Sequence, residues 1–226
     1  MIRLKNVSKL YAPDIVGVKD VNLHIRPGEF VSIVGQSGTG KTTLIKMLIA
    51  EEKPTSGSIQ IGGWEISNIR SNDIPLLRRQ IGVVFQDFKL LPMKTVYENV
   101  AFALEVAGVP SRRIREVVPH VLRIVNLQGT EKRYPNQLSG GQQQRVVIAR
   151  SLVHRPKIIV ADEPTGNLDS INTGEVIDIF RKINEFGTTV VMVTHNREVV
   201  NMLRKRVVTI SSGEIVADHE EGKYLI

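Results

Sequence analysis

The chain contains no cysteine, which excludes disulfide bridges and thiolate metal sites. A cytosolic address fits that absence but is not proved by it. No apolar run approaches the ~18 residues that a membrane-spanning helix needs. Ile158-Ile159-Val160-Ala161 is typical of the longest. No internal repeat or low-complexity segment occurs. A signal peptide is not expected, because Met1-Ile2-Arg3-Leu4-Lys5 opens directly into strand-like alternation. What is present is 226 residues, 42% hydrophobic and 23% charged, enough for a sizeable globular core. That length allows one domain with a subdomain, or two small domains. The net charge is +7, and Arg70, Arg78, Arg79, Arg112, Arg113, Arg115, Arg123, Lys132 and Arg133 supply much of it. Two readings of the charge stand. It attracts anionic lipid or nucleic acid, or it is an ordinary solvated surface.

The chain is organised around Gly35-Gln36-Ser37-Gly38-Thr39-Gly40-Lys41-Thr42, which has the form G-x-x-x-x-G-K-[ST]. An alternating, largely apolar segment at 29–34 precedes it and reads as a buried strand. The stretch 43–50 follows with helical spacing and no breaker. Strand, glycine-rich loop and helix together make this pattern a phosphate cradle. The glycines let backbone N–H groups wrap an anion, and the helix N-terminus adds its positive dipole end. Lys41 would neutralise the β- and γ-phosphates, and the Thr42 hydroxyl would ligate Mg²⁺.

Upstream, residues 2–11 alternate as a half-buried strand and 21–25 form a second one. Tyr11 ends the first; it either stacks on an adenine ring or packs locally. Downstream, 58–63 is a short strand, the stretch to Arg79 a loop with a short helix, and 81–85 a buried strand ending at Gln86. These strands divide between a parallel core sheet and a small antiparallel flank. From 87 to about 155 the pattern turns helical, with helices at 95–106 and 113–125, and reads as an inserted subdomain. Its entry, Phe88-Lys89-Leu90-Leu91-Pro92-Met93, is apolar for a loop. Burial against the core and a docking surface for a partner helix both account for it.

Ser139-Gly140-Gly141-Gln142 precedes a helix and offers either a second anion nest or a plain cap. An apolar strand at 157–161 then delivers Asp162 and Glu163 at its C-terminal end. That is where a Mg²⁺ ligand belongs in a phosphate-loop fold, and Glu163 could accept a proton from the attacking water. A loop at 166–169 and a helix at 172–186 follow. The strand at 188–194 ends at His195, which can reach a γ-phosphate or serve structure alone. Residues 206–216 read as an edge hairpin.

The loop at 35–42, Gln86, Leu138-Ser139-Gly140-Gly141-Gln142, Asp162-Glu163, Leu168-Asp169 and His195 occur in one order across essentially the whole chain. Together they resemble the nucleotide-binding domain of the ABC ATPase family. The resemblance implies an α/β phosphate-loop NTPase fold: a RecA-like core with a mainly parallel sheet, an antiparallel β flank and an α-helical subdomain. One domain would span 1–226, with core and flank at about 1–86 and 156–226 and the helical part at about 87–155. ATP and Mg²⁺ are the implied cofactors, and Mg-dependent ATP hydrolysis the implied activity. Tyr11 would stack the adenine, while Gly35, Gln36, Ser37, Gly38, Thr39, Gly40, Lys41, Thr42 and Thr43 hold the phosphates. Thr42, Gln86 and Asp162 would surround the metal. Glu163 would be the catalytic base, with Gln86 sensing metal and water and His195 supporting the γ-phosphate. Ser139, Gly140, Gly141 and Gln142 would close over ATP bound to the opposite protomer of a head-to-tail, ATP-dependent homodimer. Asp169 would communicate across it.

A narrower resemblance lies in Glu163-Pro164-Thr165-Gly166-Asn167-Leu168-Asp169, similar to a branch containing lipoprotein-releasing, macrolide-export and cell-division ATPases. The runs at 85–92 and 94–102, Arg206-Val207-Val208 and the Gly-Lys-Tyr tail at 222–224 look like its cell-division members. That likeness implies a separate transmembrane partner docking near 86–93. It implies a place on the inner face of the plasma membrane and indirect control of peptidoglycan hydrolases, with no nucleic acid expected. The alternatives are a lipoprotein or drug exporter motor, a soluble ABC ATPase acting on DNA or ribosomes, and a nucleotide-gated scaffold with negligible turnover. The soluble class generally carries long insertions or a tandem second unit, and this chain has neither.

Overall fold

The computed structural model describes residues 1–222; part of the Gly-Lys-Tyr tail, Lys223 and Tyr224, lies outside them. Strands β1 (Ile2–Tyr11) and β2 (Ile15–Ile25) lead into β3 (Phe30–Val34) and helix α1 (Lys41–Leu48). Then come β4 (Ser56–Ile61), β5 (Trp64–Glu65), α2 (Ile74–Arg78) and β6 (Ile81–Val84). Helices α3 (Val96–Val106), α4 (Ser111–Ile124) and α5 (Gly140–Leu152) stand between β6 and β7 (Ile158–Asp162). The chain closes with α6 (Ser170–Glu185), β8 (Thr189–Val193), α7 (Arg197–Leu203), β9 (Arg206–Ser211) and β10 (Glu214–His219).

Two sheets result. A six-stranded sheet runs β10-β9-β3-β8-β7-β6, parallel except for the antiparallel β10 at its edge. An antiparallel four-stranded sheet runs β2-β1-β4-β5. Successive residues of the central strands point to opposite faces, which explains their continuous apolar character. Val190 and Met192 of β8 enter a core shared with α3, α4, α5 and α6. Val191 and Val193 enter a second core closed by α1 and the four-stranded sheet. Ile159 and Ala161 of β7 face the first core, Ile158 and Val160 the second. The sheet is thus covered on both sides, and the C-terminal ends of β3, β6, β7 and β8 are where it remains open to ligands.

Four elements differ from the sequence expectation, the first being β5, a two-residue strand paired with β4 inside the stretch expected as a loop. Strand β2 begins at Ile15, well before 21, because Ile15↔Tyr11 and Val16↔Leu10 are already paired with β1. Helix α7 was not anticipated; it is only 7 residues long and owes its start to the Asn196 side chain, which accepts from the N–H groups of Glu198 and Val199. The hairpin at 206–216 does sit at the sheet edge, but β9 is an inner strand, paired parallel with β3 as well as antiparallel with β10.

Arg206 fastens that end of the sheet. Its guanidinium donates to both carboxylate oxygens of Asp218 at 2.8 and 2.7 Å, to Glu29 Oε1 at 2.8 Å and to the His24 carbonyl at 2.8 Å. These contacts push its pKa further up. Replacing Arg206 by Met leaves two half-covered carboxylates without their cation. It is expected to destabilise the fold by about 2 kcal/mol, or ~4–8 °C in melting temperature. Thermal denaturation at low salt checks this, and an unchanged midpoint would contradict it.

Candidate functional site

Strand β3 ends in the core and the chain turns back through 35–40 before α1. Two glycines are obligatory here. Gly35 has φ +154° and a Cβ on it would overlap the Ile210 carbonyl; Gly40 has φ +104° and a Cβ would overlap the Gly17 carbonyl. Gly40 is also the N-cap of α1, and no side chain caps this helix or places an acid in its first turn. Helices α3, α5, α6 and α7 are all capped by Thr95, Ser139, Asp169 and Asn196. The α1 terminus therefore presents N–H groups and a positive dipole end toward the cleft without an intramolecular anion.

Lys41, the first residue of α1, is buried, and its ammonium donates to the carbonyls of Gly35 at 2.8 Å and Gln36 at 2.7 Å. Burial pushes its pKa down, opposed by the charges of Glu163 and Asp162. Asp162, at the end of β7, is pushed up by burial and next by the neighbouring Glu163 charge, with Lys41 and Lys89 opposing. A cation at this point would draw the Asp162 carboxyl back down and push the Lys41 ammonium further down.

Glu163 sits at φ 46°, left-handed for a non-glycine residue, with its N–H bonded to the Val193 carbonyl of β8 at 2.9 Å. Its carboxylate accepts from the Thr194 hydroxyl at 3.1 Å and the His195 N–H at 3.0 Å. It also contacts His195 Nδ1 at 2.6 Å, so the imidazole carries its proton on that nitrogen and leaves Nε2 facing outward. The Glu163 side chain is only 12% exposed, that of His195 68%. Gln86, exposed after β6, lies against the loop that follows Glu163. The Asn167 amide donates to its carbonyl at 3.4 Å, and a Cβ on Gly166 would lie 3.1 Å from its Nε2.

These groups meet in one cleft of about 660 Å³. Of the sequence-predicted residues, Tyr11, Gly35, Gln36, Ser37, Gly38, Gly40, Lys41, Thr42, Thr43, Gln86, Asp162, Glu163 and His195 line it. Thr39 does not; its hydroxyl turns back to the Gln36 carbonyl at 2.9 Å and closes the loop from behind. Ile15, Val16 and Gly17 also line the cleft, outside the sequence expectation, which starts the second strand only at 21. Ile15 is 63% exposed, and with Tyr11 it gives the mouth an apolar, partly aromatic wall. A Cβ on Gly17 would lie 2.9 Å from both the Tyr11 ring and the Thr43 methyl, so glycine brings that wall against α1.

The remaining predicted residues lie outside the cleft. Ser139 caps α5 in a reciprocal box with Gln142. Asp169 caps α6, accepting from the Asn172 N–H at 2.8 Å and its amide at 2.7 Å, and those bonds hold its carboxyl below the usual range. The two capped termini touch. A Cβ on Gly141 would overlap the Asn172 side chain, and one on Gly140 would reach Leu168 and Phe88.

Among the described residues no three His, Cys, Asp or Glu side chains cluster as a metal site. Thr42 and Asp162 offer hard oxygens in the cleft, to which Gln86 can add one, a set that suits Mg²⁺ only when phosphate oxygens complete the shell. No helix of the described residues is long and apolar enough to cross a membrane.

Comparison with known proteins matches residues 18–166 to the family described as ABC transporter. The chain is 52% identical over 224 residues to the cell division ATP-binding protein FtsE of Bacillus subtilis, covering 99% of this chain and 98% of that one. It is 48% identical over 225 residues to FtsE of Mycobacterium tuberculosis, with 99% and 98% covered. Among solved structures it is similar to the dimeric post-hydrolysis state of the ATP-binding cassette MJ0796 bound to ADP and Pi. That match has TM-score 0.88 and 37% identity, covering 99% of this chain and 100% of that one.

Proposed function

The chain belongs to the ABC transporter family, and from that premise we propose that it is the ATP-hydrolysing subunit of an FtsEX-type complex acting in cell division. The observation that carries the chemistry is the uncapped α1 terminus and buried Lys41 facing the same cleft as the Glu163–His195 pair. The loop N–H groups and Lys41 hold the triphosphate, and the apolar wall at Tyr11 and Ile15 receives the adenine. Thr42, Asp162 and Gln86 hold Mg²⁺, which when bound offsets the charge on the transferring phosphoryl group. Glu163, desolvated and adjacent to Asp162, takes the proton of the attacking water. To do so it exchanges its His195 contact for that water, freeing the imidazole for the γ-phosphate.

Ser139, Gly140, Gly141 and Gln142 do not line their own cleft, which supports their closing over ATP of a second protomer. Asp169, joined to Gly141 through Asn172, then reports that closure. The helices between β6 and β7 form the moving subdomain of a single domain. The partner is an integral membrane protein of FtsX type that docks on 86–93. Met93 is 87% exposed there. The ATPase sits peripherally on the cytoplasmic face at the division site, and closure of the dimer is transmitted outward to peptidoglycan hydrolases.

Affinity capture of detergent-solubilised membrane proteins, with and without Mg·ATP, tests this role. Capture of an FtsX-type protein, lost when Leu91 and Met93 are made Ser, is the expected result. Capture of a lipid- or drug-binding permease would reassign the role to export and leave the site chemistry standing.

A further inference from the structure

The loop at 88–95 is held far more firmly than Gln86 just before it. Arg150, on the last turn of α5, donates from Nη1 to the Lys89 carbonyl at 2.8 Å and from Nη2 to the Phe88 carbonyl at 3.3 Å. Asn99 of α3 is fully buried and spends its whole amide on the same segment. It accepts from the Leu91 N–H at 2.8 Å and donates to the carbonyls of Leu91, Lys94 and Thr95 at 3.1, 2.8 and 3.0 Å. His154 Nε2, at the far end of α5, lies 3.2 Å from the Ala103 carbonyl and fastens α5 to α3. The Phe88 ring meanwhile approaches Gly140 at the start of α5. The loop therefore touches α5 at both of its ends, which lie ~15 Å apart at 1.5 Å rise per residue. Among the described residues Gln86 has only the long Asn167 bond to its carbonyl, and Gln86 is exposed.

We propose that Arg150 is a positioning residue that locks the 88–93 loop to helix α5. A push on the loop then turns Ser139, Gly140, Gly141 and Gln142 as one body with it, instead of deforming Gln86 in the same cleft. This rests on the dimer reading above, and it directs the signal of a docked partner to the nucleotide held by the other protomer. The guanidinium suits the task because its planar fork satisfies two adjacent carbonyls at fixed spacing, which an ammonium cannot reproduce. Continuity in space does not by itself establish coupling, so the test reads coupling directly.

Hydrogen exchange is measured on the full chain carrying E163Q, with and without Mg·ATP. In this parent, ATP is expected to slow exchange in both 139–145 and 88–94 by about tenfold or more. Adding Arg150→Met should leave the response of 139–145 intact and abolish that of 88–94. Arg150→Lys, which keeps the stem and the charge, should restore part of it without a change in melting temperature. A purely structural Arg150 would shift melting and leave both responses joined. An undiminished response of 88–94 in Arg150→Met overturns the proposal. Should that variant not fold, a full response in Arg150→Lys overturns it equally. A parent that responds at 139–145 alone sinks the Arg150 coupling and leaves the dimer; a parent silent at both sinks the dimer reading and this inference together.

Discussion

Replacing Glu163 with glutamine will lower steady-state ATP hydrolysis by about a hundredfold or more while leaving nucleotide binding in place. General-base catalysis contributes roughly 10²–10⁴ to such reactions, so its loss corresponds to at least ~2.7 kcal/mol of barrier. The amide is nearly isosteric: its carbonyl oxygen can keep the His195 N–H and His195 Nδ1 that meet Oε1, and its NH2 takes the place of Oε2 and donates to the Thr194 hydroxyl oxygen. Folding and cleft shape should therefore persist. Removal of the Glu163 charge also takes away one of the influences that raises the Asp162 carboxyl, so a divalent cation beside Asp162 loses no ligand and meets a more readily ionised one. With binding kept and turnover lost, ATP should accumulate between two protomers and shift the chain to a dimer on size exclusion. Phosphate release and elution volume in Mg·ATP are the two readouts. Activity within tenfold of the parent would falsify Glu163 as the base, and a monomer at saturating ATP would count against closure across two protomers.

Most of this cleft is legible in the sequence. The loop at 35–42 is a local pattern whose glycines answer to local backbone geometry, and Asp162, Glu163 and His195 stand at the ends of strands that read as continuous apolar runs. Those runs are unambiguous because both faces of β7 and β8 are buried, leaving no polar alternation to misread. Family resemblance adds the expectation that 139–142 faces a second protomer, where spacing alone leaves a cap and an anion nest open. What stayed hidden depended on distant backbone. The early half of β2 is interrupted by Gly17 and carries exposed Ile15 and Val16, so neither period 2 nor burial marks it. Arg150 binds carbonyls 61 and 62 residues upstream, and a carbonyl acceptor leaves no trace in residue identity. Thr39 sits inside the motif yet faces away from the cleft, since its hydroxyl satisfies the Gln36 carbonyl within the loop.

Changing Gly40 to alanine should cost the nucleotide-free protein about 3 kcal/mol, whereas the same change at Gly38 should cost about 1. Both residues have positive φ, +104° at Gly40 and +79° at Gly38, so both substitutions carry conformational strain. They differ in what the new methyl group meets. At Gly38 nothing lies within 4 Å, and strain is the whole effect. At Gly40 the methyl overlaps the Gly17 carbonyl and comes within 3.0 Å of Val18 Cγ1. Backbone on both sides must shift, and Val18 is wholly buried in the core shared with α1. The shift cannot be absorbed by a flexible side chain. It separates α1 from β2, and with them Thr43 from the Tyr11 wall that Gly17 holds against it. At ~2–4 °C per kcal/mol for a chain of this size, the melting temperature should fall by roughly 6–12 °C for Gly40→Ala and 2–4 °C for Gly38→Ala. Affinity for a non-hydrolysable ATP analogue should fall about a hundredfold or more in Gly40→Ala, because the N–H groups of the α1 terminus no longer converge on one point. Equal melting shifts for the two variants would mean that the loop yields where packing against β2 says it cannot, and that the glycine at 40 serves only its own φ angle.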